Sequence, residues 1–169
     1  MSIYSYILSN IYSILPVLFT LILSIVSLMP IMPSGSEEIT PLLGVISLSF
    51  WIVHKPEFMG WIPVIIIGIF NDVLYGSSLG IACFAAILIR LVIVKLLIKI
   101  KYINIYHTAF CVGLSLIIWI LVNSVLNSML YYDNYNYNYT SLIFQFIVSL
   151  IISPIIIFIK MFLLKKMSI

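Results

Sequence analysis

The chain has 169 residues, of which 64% are hydrophobic and only 8% charged, with a net charge of +3. A water-soluble domain carries about a quarter charged residues, so this composition excludes a fold that meets water on all sides. The basic residues flank apolar runs instead of forming a patch, which points to membrane topology and away from nucleic-acid binding.

The apolar runs are long enough to cross a hydrocarbon core roughly 30 Å thick. They do not alternate as barrel strands do: Val64–Ile69 is apolar throughout. The expectation is an all-α integral membrane bundle, one polytopic domain over 1–169. Its spans fall at Ile11–Met29, Ile39–Val53, Phe58–Leu74, Leu79–Ile98, Thr108–Leu130 and Leu142–Leu164. No basic segment precedes the first span, since the first lysine is Lys55, so that span is expected to be retained and not cleaved.

A loop rich in Pro, Gly, Ser and acid, Met29 to Glu38, leads to Pro41, which opens the second span. The second and third spans are short and are therefore tilted, broken or shielded from lipid. Between them His54-Lys55-Pro56-Glu57 reads as a tight charged corner. In and after the third span Gly68, Asp72, Gly76 and Gly80 recur every four residues. If the helix continues, they form one face that a partner backbone can approach closely. If it stops, Gly76 and Gly80 make the turn into the fourth span and Asp72 caps backbone N–H groups. The structural turn is the favoured reading.

Arg90 stands near the middle of the fourth span, where it costs about 3 kcal/mol uncompensated. Snorkelling toward the end marked by Lys95 is favoured over pairing with Asp72. Cys83 and Cys111 lie within apolar runs without metal-ligand spacing, so they read as packing residues and not as a disulfide or zinc site. In span five, Ser115, Asn123 and Asn127 share a face with Trp119; in span six, Gln145, Ser149 and Ser153 precede Pro154. Such rows are expected to bond across to neighbouring helices, worth about 0.6 kcal/mol each. A polar pocket for a small ligand is the sharper alternative. Asn134 to Tyr139 alternates Asn and Tyr, as a surface loop near the interface would.

Charge then sets orientation. Lys55, then Lys95, Lys99 and Lys101, then Lys160, Lys165 and Lys166 fall on one side of a six-span chain; Glu37, Glu38 and Asp133 fall on the other. The lysine side is expected to be cytoplasmic, with both termini inside. Only His54 and His107 are available as histidines, both at predicted edges, and no paired carboxylates stand in a span. No enzymatic chemistry, metal or cofactor is expected.

Two blocks resemble a known bacterial family, the rod shape-determining MreD proteins. Pro41, Trp51 and His54-Lys55-Pro56-Glu57-Phe58 are similar to its aromatic and basic-Pro-Glu corner. Gly68…Asp72-Val73-Leu74…Gly76-Ser77-x-Leu79-Gly80 is similar to its most characteristic segment. The strong resemblance covers about 41 to 91, and the rest matches in character only. It implies a non-enzymatic inner-membrane component of the cell-elongation complex. The implied partners are MreC, the actin-like MreB and the peptidoglycan polymerase and transpeptidase machinery, with docking surfaces at the Gly68–Gly80 face and the outward loops. The family also resembles the S-components of vitamin transporters in fold. The alternative function is accordingly a solute-binding subunit that uses the rows of spans five and six.

Overall fold

A computed structural model describes residues 3–29, 40–100, 102–130 and 139–167. Among them are six helices and no strand: α1 Ile3–Ser27, α2 Leu43–His54, α3 Trp61–Tyr75, α4 Ile81–Leu97, α5 Ile105–Leu130 and α6 Tyr139–Met167. Each expected span holds one helix. The first, fifth and sixth helices begin earlier than expected, at Ile3, Ile105 and Tyr139. Among the described residues, α5 and the Thr140–Phe162 part of α6 combine the length and hydropathy to cross a membrane unaided. The acidic positions Glu37, Glu38 and Asp133, the Asn134–Asn138 stretch and Lys101 lie outside the described residues.

The shortness of α2 has a clear physical basis. Its 12 residues rise only about 18 Å, too little for a lipid-exposed span. Every residue from Leu43 to Val53 is buried, and α2 packs against α1, α4, α5 and α6. It is the hub of the bundle, covered by its neighbours. Apolar residues on all sides of a helix are what such a position requires.

One seam fixes α1 on the hub. Thr20, Ser24 and Ser27 are all buried and line one face of α1. Thr20 Oγ1 and Ser47 Oγ lie 2.9 Å apart, and the Leu43 N–H donates to Ser27 Oγ at 3.2 Å. Gly44 faces Ser24 so closely that a Cβ there would clash with the serine hydroxyl. Small residues let the backbones approach, and hydroxyls use the contact. The opposite face of α1 (Ile14, Leu18, Ile22, Ile25) is exposed.

Candidate functional site

The glycine-aspartate motif builds the hairpin of α3 and α4. Helix α3 ends at Tyr75, so Gly76 and Gly80 do not continue the face of Gly68 and Asp72. Gly76 has φ +61° and Gly80 φ +109°, left-handed values that glycine adopts without a Cβ penalty. The backbone carbonyl of Asp72 accepts the N–H groups of Gly76 and Ser77, closing the last turn of α3. Its carboxylate reaches across to the start of α4. It accepts the Gly80 N–H at 2.8 Å, the Ala82 N–H at 2.7 Å, the Cys83 N–H at 3.3 Å and the Ser77 hydroxyl at 2.9 Å.

Gly80 is the first residue of α4's cap and has no side chain to serve the free N–H groups there. Asp72 supplies that side chain from the preceding helix. It is fully buried, and its negative charge meets the positive end of α4. One turn deeper, Gly68 lies against the backbone of Cys83, where a Cβ would collide. The structural-turn reading of this motif therefore holds. Gly68 and Asp72 lie against the chain's own α4. Trp51 is likewise internal, and so is Pro41, ahead of α2. Lys55, Pro56 and Glu57 are exposed, with Lys55 Nζ 6.0 Å from the Phe58 ring centre.

Arg90 is held at the opposite end of α3. Its Nη1 donates to the carbonyl of Met59, in the corner before α3, and its guanidinium lies 4.9 Å from the ring centre of Trp61. Asp72 is not its partner. The corner backbone is not helical, so its carbonyl is free to accept, and the arginine stem bends toward the end where α4 terminates.

The polar rows divide. Ser115, Asn123, Ser149 and Ser153 each donate to a carbonyl three or four residues back on their own helix. In apolar surroundings a hydroxyl finds a near acceptor in its own preceding turn. Two residues do cross over. Ser149 Oγ accepts the Leu42 N–H at 3.0 Å, and Gln145 Nε2 donates to the Thr40 carbonyl at 3.1 Å. Together they tie α6 to the start of α2. Asn123, Asn127 and Gln145 share a cavity of about 210 Å³ with Tyr75, Ser77 and Trp119. Ser115, Ser149 and Ser153 are not part of its wall.

Lys160 corrects an expectation. Instead of joining a basic C-terminal edge, it points inward from α6 and is fully buried. Its Nζ donates to Ser47 Oγ and lies 5.5, 5.5 and 5.4 Å from the ring centres of Phe19, Phe50 and Trp51. Aromatic faces attract an ammonium group through their quadrupole. Ser47 thus joins α1, α2 and α6 at one point. A signal was present in the sequence: Lys160 continues the Gln145, Ser149, Ser153 row at helical spacing.

The family model described as rod shape-determining protein MreD matches residues 7–166. The chain belongs to the MreD family. No curated protein and no solved structure matches it. Members of the MreD family are membrane proteins that determine rod shape, and the two long apolar helices agree with that environment. Within this MreD-family chain, the second of the two blocks that carried the resemblance is the α3–α4 hairpin, and its chemistry is helix capping.

Proposed function

We propose that the chain is a multi-pass component of the bacterial inner membrane that works without catalysis. It scaffolds peptidoglycan synthesis by docking MreC and, with MreB and the polymerase and transpeptidase membrane proteins, governs cell shape. The family match across nearly the whole chain carries this reading.

In this reading the chain is one domain threaded six times through lipid, with both termini cytoplasmic. The Arg90–Met59 bond supports it, because it puts the α2–α3 corner, with Lys55, at the same end as the close of α4, with Lys95 and Lys99. The contiguous core that spans α2, α4 and α5 supports a single domain. Among the described residues, surfaces left for partners are the exposed Lys55–Glu57 corner and the outward apolar faces of α1, α5 and α6. Depletion is expected to round rod-shaped cells, and MreC to co-purify with the tagged chain. Unchanged shape together with no MreC association would remove the scaffold reading.

The cavity at Asn123, Asn127 and Gln145 favours a second reading, a solute-binding subunit of S-component type. Its volume is below the roughly 300–1,000 Å³ usual for small-molecule sites, which favours the scaffold. Thermal stabilisation by a vitamin-like solute would reverse that order.

A further inference from the structure

The second half of α4 and the first residue of α3 enclose a groove of about 340 Å³ lined by Trp61, Arg90, Leu91, Val94, Lys95 and Ile98. It opens outward, away from the core: Trp61 is 49%, Leu91 48% and Ile98 82% exposed. Two cations and no acid stand in its wall. Arg90 has one nitrogen on the Met59 carbonyl, its Nε is buried with no partner, and among the described residues it forms no ion pair. Lys95 is exposed further along the same helix.

Depth follows from contact. Arg90 reaches from the middle of α4 to a non-helical corner and lies beside a tryptophan at the first residue of α3, which in the proposed six-span threading brings its guanidinium toward the membrane interface. A lipid molecule adjoining α4 at this level presents its phosphate to the two cations and its glycerol and upper acyl carbons to Leu91, Val94 and Trp61. A zwitterionic headgroup would add a positive charge where two already stand. An anionic one would neutralise them. Basic pockets between membrane helices select anionic headgroups on this basis.

We propose that this groove binds one anionic phospholipid, with Arg90 and Lys95 as the phosphate-binding pair and Trp61 as the apolar wall. The site rests on the proposed six-span threading, which puts α3 and α4 in lipid, and not on the scaffold role, whose own test is MreC association.

The test uses the full chain in mild detergent, with thermal unfolding read against added short-chain phosphatidylglycerol, phosphatidylcholine or inorganic phosphate. Phosphatidylglycerol is expected to raise Tm by several degrees in a saturable way, with phosphatidylcholine and phosphate giving less than a third of that shift. Lys95→Gln, at an exposed position, should at least halve the phosphatidylglycerol shift while leaving the lipid-free Tm unchanged. Lys99→Gln, outside the groove, should leave the shift intact. Arg90→Gln should abolish it, and if that variant does not fold, the Lys95 and Lys99 pair decides alone. Equal shifts with both lipids, an equal shift with free phosphate, or equal effects of Lys95→Gln and Lys99→Gln would overturn the site.

Discussion

Asp72 and Lys160 are both fully buried, and the chain satisfies them by opposite means. Asp72 draws its donors from one short stretch, Ser77 to Cys83, all within the same hairpin. Lys160 collects one hydroxyl and three rings from α1 and α2, more than a hundred residues away in sequence. The cause lies in helix geometry. The start of a helix leaves N–H groups unsatisfied, so an anion placed there finds partners without any special design. A cation in mid-helix finds every nearby carbonyl already bonded and must borrow side chains from other helices. Arg90 stands between the two cases, because it reaches a corner where one backbone carbonyl is free.

That difference is open to being broken. Asp72→Ala leaves three backbone N–H groups buried or half-buried at the start of α4 without their acceptor. The expected loss is on the order of 3–5 kcal/mol, seen as failure to accumulate or a Tm drop of more than ten degrees. Retention of wild-type Tm would mean that water or another group caps α4. Gly68→Val, which forces α3 off Cys83, is expected to cost about 2–3 kcal/mol, measured as loss of monodisperse protein in detergent.

Sharper discrimination comes from the α1–α2 seam. Gly44→Ala should lower Tm by an amount corresponding to about 1–2 kcal/mol, and Ser24→Gly in the same chain should recover most of it. Additive losses would show that the two residues do not share one contact. Smallest of all is the expected effect of Lys160→Met, within about 1 kcal/mol of wild type, since an apolar chain of similar length fills the aromatic cage without needing an acceptor. A loss as large as that of Asp72→Ala would show that the amine is as indispensable to the fold as the carboxylate, and the contrast would collapse.

The same contrast explains what could be read from the residues alone. Six helices, their order and the hairpin turn at Gly76 and Gly80 follow from apolar runs and local turn chemistry. Asp72 as a cap was legible because its partners are neighbours in the chain. The inward turn of Lys160 had a signal in its helical spacing from Ser153, but its cage partners and the Thr20–Ser24–Ser27 seam had none, because each depends on which helices pack together, and apolar sequences carry little information on pairing. The polar row of α5 was legible as a row, but its preference for its own carbonyls was hidden, since spacing alone does not choose between a preceding turn and a neighbouring helix. The hairpin motif was one of two blocks that carried the family resemblance, and the structure gives it an internal capping task.

The claim that this hairpin motif holds the fold rather than greeting a partner is tested most directly by pairing two readouts on Asp72→Asn, a variant that keeps one carbonyl oxygen as acceptor. Tm in detergent is to be measured alongside the amount of MreC recovered per mole of monodisperse protein. The account predicts a lower Tm with MreC recovery per folded molecule unchanged. An unchanged Tm with MreC binding lost would contradict it.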